Sequence, residues 1–473
     1  TTEIYTLSLH DALPILACKT LGCKLNQIET ENIAGAFVRE GFDLVPWGSE
    51  ADLYLINTCT VTSKAEQKAR REIRLALQRN PEALVVITGC YAELDSADLD
   101  FGPRAIVIPG SKKNLLAERA AAIAEAGYAG RLLDLSLPGI DLAAVSEASA
   151  DPNAGSGGTA SGGKADPFFF SAPHKLLHTR PFLKIQDGCS RRCAYCRVCL
   201  ARGAPISLEP DLVLERVMYY EALGAPEIVL TGINLSLYES AGKNFASMLA
   251  SLLAGTKRIR FRLSSWEPDM VSPEFLELFS EPRIQPFMHL SIQSGSTDIL
   301  RSMRRLYSRE DVVLAVERLR SARGDFFLGA DFISGFPGES ETDFEQSLSL
   351  VSELDIAGLH AFTFSPRPGT SAYTMKPRIP ERISVARTEA LIAAGKARRE
   401  GFLARRFGLA TEAMIEYTDE EVMSGLTPDY LHVKIEGAGA LPQDTALVRG
   451  LLEPLPESSS KELFDARLVV ARI

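Results

Sequence analysis

Twice along the 473-residue chain, short apolar runs alternate with stretches of helical length, and this rhythm limits the fold more than any other feature. In the first block the apolar runs are residues 16–20, 53–57, 84–88 and 105–109, with helical stretches at 26–40 and 64–79. Short, continuously apolar runs separated by helices predict parallel strands covered on both faces. The expectation is an α/β protein whose N-terminal domain carries a flavodoxin-like parallel sheet. The second block offers strands at 182–186, 227–231, 259–264, 287–293, 328–334 and 359–364. Helical stretches at 212–223, 245–253, 273–279, 309–322 and 342–354 lie between them. Six βα units in about 185 residues are too few for an eight-stranded barrel, so a partial (βα)6 TIM-like barrel is expected.

Composition changes sharply between the blocks. The segment SEASADPNAGSGGTASGGKADP reads as a linker within 139–179, although Phe168-Phe169-Phe170 is apolar enough to dock. Beyond the second block a basic helix at 384–406 leads into short strand-like runs at 413–417 and 431–435, expected to form a small C-terminal β-barrel. The expected divisions are therefore 16–138, 139–179, 180–408 and 409–473. Residues 1–15 stand apart, because IYTLSLHDALPI resembles a translated sequencing adapter, and we set them aside as non-native.

The chain is 46 % apolar and 24 % charged, which places it among globular proteins and against collagen-like or disordered ones. No apolar run approaches the roughly 18 residues of a membrane span, so no membrane association is expected and a cytoplasmic location is. With 61 acidic and 51 basic residues the net charge is −10. A general polyanion binder is disfavoured, while an RNA-binding patch remains compatible.

The cysteines carry the chemistry. Cys189, Cys193 and Cys196 form a Cys-x3-Cys-x2-Cys loop directly after the first strand of the second block. Three thiolates on one loop can ligate three irons of a four-iron cluster and leave the fourth iron open to a small molecule. Structural zinc is the alternative, since Cys199 is nearby, but zinc loops usually pair two Cys-x2-Cys units far apart. Cys23, Cys59 and Cys90 each follow a strand of the first block. In a parallel sheet such strand ends share one edge, so the three are expected to converge as a second three-thiolate site, with three unrelated buried cysteines as the alternative. Helix or loop starts at these positions favour the thiolate form. Cys18 lies within a strand and is expected to be a packed core thiol.

The Cys-x3-Cys-x2-Cys loop resembles the radical S-adenosylmethionine superfamily. From Leu16 onward the chain resembles the methylthiotransferase family through TLGCKLNQ, INTCTVT, LTGIN, RLSSWEP, QSG, GADFISGFPGE and FSPRPGT. TLGCKLNQ with NTCTVT is most similar to the branch acting on N6-threonylcarbamoyladenosine in tRNA. The branches acting on isopentenyladenosine or on a ribosomal-protein aspartate typically have GCQMN or GCPKN there.

The resemblance implies two [4Fe-4S] clusters and S-adenosylmethionine as cofactors, and a TRAM-like RNA-binding C-terminal barrel. It implies that Cys189, Cys193 and Cys196 hold the cluster that cleaves S-adenosylmethionine to a 5′-deoxyadenosyl radical, which abstracts hydrogen from adenine C2. Cys23, Cys59 and Cys90 would hold an auxiliary cluster carrying the sulfur. Thr231, Gly232, Ser264, Ser265, Glu267, Gln293 and Gly335, at strand ends, would bind S-adenosylmethionine. A tRNA substrate and an unidentified electron-donor protein are the implied partners, with no oligomeric state implied. A non-catalytic, zinc- or cluster-stabilised RNA-binding module is the competing class.

The sequence departs from the family at Arg197-Val198-Cys199-Leu200, where an apolar, Pro-containing stretch is usual, and at Ile206, where a basic residue is frequent. Basic residues gather at Lys64, Lys68, Arg70, Arg71, Arg74 and Arg79, at Arg301, Arg304 and Arg305, and along the helix bearing Lys396, Arg398, Arg399, Arg405 and Arg406. Such patches suit tRNA phosphates, with solvated helix faces as the plain alternative. Tyr430 and His432 are candidates for base stacking, with a barrel-core role for the tyrosine equally compatible.

Overall fold

A computed structural model describes residues 13–118, 120–121, 136–137, 140–141, 166–173, 179–418, 422–437, 445–456 and 464–470. Most of the adapter-like leader and of the expected linker lies outside the described residues. The chain forms two compact units, Thr1–Pro173 with Arg197–Gly203, and His174–Cys196 with Ala204–Ile473.

The first unit is built on strands β1 (Ile15–Thr20), β2 (Asp43–Val45), β3 (Leu53–Thr58), β4 (Leu84–Gly89) and β5 (Ala105–Val107). They form one parallel sheet in the order β2-β1-β3-β4-β5, the doubly wound order expected. Every residue of β3 and β4 is buried, which explains their apolar runs up to Asn57 and Thr88. Leu16, Leu53, Leu55, Leu84 and Val86 pack one face against Ile33 and Phe37 of α1 (Lys24–Arg39). Tyr54, Ile56, Val85 and Ile87 pack the other against Ala69, Ile73 and Ala76 of α2 (Ser63–Arg79). Strand β2, only three residues long, has no sequence signal. Ile15, set aside with the leader, begins β1: it pairs with Asp43, and its N–H donates to Asp52 Oδ2 at 2.8 Å.

The second unit holds β6 (Phe182–Lys184), β7 (Glu227–Thr231), β8 (Arg260–Leu263), β9 (Phe287–Gln293), β10 (Phe327–Ser334) and β11 (Gly358–Thr363). They make two parallel sheets, β8-β7-β6 and β9-β10-β11, joined by bridges Trp266↔Leu290 and Phe261↔Ile284. This is the expected six-stranded partial barrel. Strand β6 is shorter than expected because Gln186–Asp187 leave it to pair antiparallel with Ile206–Ser207. Ile206, the departure noted above, is thus an exposed edge residue of that pairing.

At the N-terminal strand ends the barrel is plugged. Arg262 is almost wholly buried; its Nε donates to Glu227 Oε1 at 2.7 Å and its Nη1 to Pro428 O at 3.0 Å. Its guanidinium also lies over the rings of Phe287 and Tyr430. Tyr430 stacks on Phe287 at 4.3 Å, so it serves the core. Strands 410–418, 423–426, 432–436, 447–453 and 466–469 close into the expected C-terminal β-barrel, its first and last neighbours joined by antiparallel pairing. Among the described residues no helix is long and apolar enough to cross a membrane.

Candidate metal centres

In the first unit β1, β3 and β4 are neighbours in register, with Thr20 beside Asn57 and Asn57 beside Thr88. Their C-terminal ends therefore lie side by side. Cys23 is the N-cap of α1, Cys59 directly follows β3, and Cys90 opens the helix Cys90–Leu94 after β4. The loops are tied together by the signature residues. Asn26, the asparagine of TLGCKLNQ, donates from Nδ2 to Leu21 O at 2.8 Å and to Thr58 O at 3.0 Å. Asn57 of INTCTVT donates back to Asn26 O at 3.0 Å, and Thr58 Oγ1 donates to Thr88 O at 2.5 Å.

Two glycines make the approach possible. Gly22 has φ +98°, and a Cβ there would lie 2.7 Å from Cys59 Sγ. Gly89, φ +99°, would press a Cβ into Thr58. Burial pushes the Cys59 thiol up to about 11, reinforced by neighbouring Cys90 and Cys23 and opposed by the Val61 N–H and Arg202. A compensating cation is what such a thiol needs to ionise. Arg202 itself is held by Glu29 at 3.0 Å and Asn26 at 2.8 Å. Arg197 forms a fork to Asp95 at 2.8 and 2.9 Å and reaches Thr60 at 3.1 Å, so this departure from the family pattern has built partners. Cys18 packs against the α1-side core, with its thiol pushed up to about 12 by burial, as a core thiol should be.

In the second unit the Cys189–Cys196 loop is fixed by its backbone: Ala194 N–H donates to Met303 O at 2.9 Å and Ala194 O accepts from Ala372 N–H at 2.8 Å. Side chains from other strand ends reach its sulfurs. Arg305 Nη1 donates to Cys193 Sγ at 3.0 Å. Burial raises the Cys189 thiol, while the Arg191 N–H, at 3.5 Å from Sγ, and the Asn234 side chain act to lower it. Glu267 joins the two contacts, accepting from Arg305 Nη2 and from Asn234 Nδ2 at 3.3 Å. Burial raises the Glu267 carboxyl, against the pull of Arg305 and Arg191.

The expected cosubstrate residues divide into two kinds. Ser264 lies at the end of β8, and its buried Oγ has no hydrogen-bond partner, the condition of a group that awaits one. Half-buried Ser265 follows it. Thr231 ends β7 in full burial, and Gln293 ends β9 with φ +72°. Glu267 is engaged by Arg305 and Asn234 as described. The two glycines are close-packing positions: a Cβ on Gly232 would meet Gln186 at 2.8 Å, and one on Gly335 would run into Ser384. Gln186 also accepts from Asn234 N–H at 2.8 Å, which fixes the loop after β7.

Sequence reading placed Arg305 in a phosphate-gripping patch; instead its side chain is 4 % exposed and turned to Cys193. Asn234 and Gln186 were not singled out at all, although Asn234 lies in the quoted LTGIN. The other patches also thin out. Arg70 stacks on Tyr91, Arg74 on Phe101 and Arg79 on Trp47, while Arg399, Arg405 and Arg406 pair with Asp465, Asp355 and Asp429. Lys64, Lys68 and Arg71 remain exposed, as do Arg304 and Lys396.

The cysteine sets can be tested against the alternative metal. Thiolates on one zinc ion, with Zn–S about 2.3 Å, lie roughly 3.8 Å apart. Among the described residues the group of three ligand-type side chains gathered within 4.8 Å is His289, Asp331 and His360; neither cysteine trio is gathered so tightly. The trios are therefore not gathered as three ligands of one zinc ion would be, and no disulfide forms among the cysteines.

Residues 16–107 match the uncharacterized protein family UPF0004 and residues 183–351 the Radical SAM superfamily. The threonylcarbamoyladenosine tRNA methylthiotransferase MtaB of Treponema pallidum (strain Nichols) is 38 % identical, over 89 % of this chain and 95 % of its own. The enzyme of the same name from Bacillus subtilis (strain 168) is 31 % identical, over 89 % and 90 %. The tRNA-2-methylthio-N(6)-dimethylallyladenosine synthase of Cereibacter sphaeroides (strain ATCC 17025 / ATH 2.4.3) is 30 % identical, over 92 % and 95 %. Among solved structures, the radical S-adenosylmethionine methyltransferase TsrM of Kitasatospora setae superimposes with a TM-score of 0.52 at 16 % identity, covering 76 % of this chain and 74 % of that one. At that identity the likeness concerns the fold alone.

Proposed function

The chain belongs to the tRNA methylthiotransferase family of radical S-adenosylmethionine enzymes, and from that premise we propose that it methylthiolates C2 of N6-threonylcarbamoyladenosine in tRNA. The observation that carries the reading is the side-by-side placement of Cys23, Cys59 and Cys90 at one sheet edge, in a chain that also bears the Cys189–Cys196 loop. A plain cosubstrate-cleaving enzyme needs the loop alone. A second site in a separate unit supplies what sulfur insertion additionally requires. The threonylcarbamoyl branch is favoured by TLGCKLNQ and by the 38 % identical relative, against 30 % for the dimethylallyl one.

When bound, the two iron–sulfur clusters and S-adenosylmethionine supply the radical chemistry, the sulfur and the methyl group. This chain's residues bind and orient. Cys189, Cys193 and Cys196 hold one cluster, and Cys23, Cys59 and Cys90 the other. Arg305 donates to Cys193 and Asn234 assists Cys189, with Glu267 fixing both donors in place. Such outer partners orient ligands and set a cluster's potential. Ser264 offers its unpartnered Oγ to the cosubstrate beside Thr231, Ser265 and Gln293. Exposed Lys64, Lys68, Arg71 and Arg304 and the C-terminal barrel are the tRNA-facing candidates, and the divisions 16–138, 180–408 and 409–473 are the corresponding domains.

The test is anaerobic reconstitution with iron and sulfide, incubation with tRNA, S-adenosylmethionine and a chemical reductant, and mass spectrometry of the nucleosides. The expected product is threonylcarbamoyladenosine gaining a methylthio group. Conversion of isopentenyladenosine instead, or of a ribosomal protein, would transfer the chain to another branch. Intact clusters with no converted substrate would overturn the catalytic reading.

A further inference from the structure

Inside the partial barrel, three neighbouring strands each contribute one ligand-type side chain: His289 on β9, Asp331 on β10 and His360 on β11. Their common face follows from the strand alternation. Leu359 packs on Gly395 and Thr363 Oγ1 lies 2.9 Å from Thr388 Oγ1, both on the helix Glu381–Arg406. His360, between them in the alternation, therefore faces the opposite side, toward the barrel interior. Asp331 is its direct register partner. His289 sits two residues lower, opposite Gly329, and its ring crosses β10 there: a Cβ on residue 329 would lie 2.7 Å from His289 Nδ1.

Two imidazole nitrogens converge on one carboxylate oxygen. His289 Nε2 lies 3.0 Å and His360 Nδ1 3.3 Å from Asp331 Oδ1. All three ligand atoms fall within 4.8 Å of one another, and the rings are 5.1 Å apart between centroids. The side chains of His289 and Asp331 are 11 % and 24 % exposed, whereas His360 is 64 % exposed and faces open space.

We propose that His289, Asp331 and His360 form a site for one divalent transition-metal ion of the zinc class, with an open coordination position toward the barrel interior. The donor set is two imidazoles and a carboxylate, which such ions take in sites that keep a position for water or a ligand oxygen. Around a tetrahedral ion with bonds of about 2.0–2.2 Å, ligand atoms lie roughly 3.3–3.5 Å apart. Two of the three spacings are already close to that, and the exposed His360 is free to close the third. Calcium and magnesium are disfavoured, because they take oxygen ligands and two of the three donors are nitrogen. Three strands of one sheet hold the donors, a firmer frame than a loop provides. The site uses none of the cysteines, so it stands or falls independently of the cluster assignments.

The experiment uses the full chain, reconstituted anaerobically so that the cysteine sites are filled, then dialysed against zinc chloride and freed of loose metal. Elemental analysis is expected to find one zinc per chain in addition to iron. Zinc-edge X-ray absorption is expected to show nitrogen and oxygen neighbours at about 2.0–2.2 Å and no sulfur at about 2.3 Å. Asp331→Asn is expected to lose the zinc while retaining iron. The exposed His360→Ala, which leaves the other two donors untouched, is expected to weaken zinc binding about tenfold or more. If Asp331→Asn fails to fold, as lost iron would reveal, His360→Ala decides the matter. A wild-type protein that takes up no extra zinc, zinc bound through sulfur, or uptake unchanged in both variants would overturn the proposal and leave the three side chains as a hydrogen-bonded cluster.

Discussion

The two cysteine sets reach similar ends by opposite routes. Cys189, Cys193 and Cys196 lie on one loop, so sequence alone keeps them together, and the fold adds only Arg305, Asn234 and Glu267 around them. Cys23, Cys59 and Cys90 come from three strand ends, and only the parallel register of β1, β3 and β4 makes them neighbours. A locally encoded site is expected to survive modest damage to its surroundings. A site assembled by tertiary structure fails with the contacts that align its loops.

The largest effects are expected at the proposed cluster ligands. Cys193→Ala is expected to remove about four irons per chain and abolish cleavage of S-adenosylmethionine. Cys59→Ala should also lose about four irons but still release 5′-deoxyadenosine, without methylthiolated product. Iron analysis and chromatography of the nucleoside products separate the two outcomes, and loss of cleavage in Cys59→Ala would erase the proposed division of labour.

Contacts come next. Asn26→Ala removes two of the hydrogen bonds that align the loops after β1 and β3, and the one its Oδ1 accepts from Arg202, costing about 1–3 kcal/mol and, we expect, most of the iron of the N-terminal site alone. Denaturant unfolding and iron counts on the same samples check this. If iron at the Cys189–Cys196 loop fell equally, the contrast between the sites would be lost. Arg305→Gln is the matched change in the other unit. It should retain iron yet shift the cluster potential downward, because a cation that stabilises the reduced state is gone. Potentiometric titration followed by electron paramagnetic resonance measures the shift; an unchanged potential would reduce Arg305 to a packing residue.

The smallest effect comes from a residue that belongs to neither site. Glu221 is partly buried, which acts to raise its pKa, but it accepts three backbone N–H groups from Lys257, Arg258 and Ile259, and these hold its carboxyl below the usual value of 4.5. A carboxylate with a depressed folded pKa contributes stability above its unfolded value, and that contribution fades as pH falls through the folded one. Glu221→Gln should therefore lower the melting temperature slightly at neutral pH and flatten its decline in acid. Iron content should be unchanged; a change would mean that damage anywhere in the second unit spreads to the clusters.

Most of the fold was legible because its strands are short, apolar and regularly spaced. Strands β3, β7 and β9 begin where the apolar runs begin. What escaped notice is what periodicity cannot carry. Strand β2 has three residues and the helix Thr297–Ser302 six, too few to establish a period. The cysteines drew attention because each carries its chemistry in its residue type. Arg305 was misread for the same reason: in MRRLY a basic run looks like a phosphate grip, and nothing local says that one member turns inward. Gly232 and Gly335 illustrate a further limit, since a glycine that admits a ligand and one that admits a neighbouring side chain look alike until the neighbours Gln186 and Ser384 are seen. The three donors of the proposed zinc site lie in FMHLSIQ, GADFIS and GLHAFT, whose apolar neighbours conceal them as ordinary strand residues.

Arg262 and Tyr430 stopper the base of the barrel, and the chemistry inherits a direction from that. A barrel corked below is entered from elsewhere, so small molecules reach the layer of His289, Asp331 and His360 from the side away from Arg262. Loosening the cork, as by replacing Arg262 with alanine, would open a drain where the protein keeps a floor.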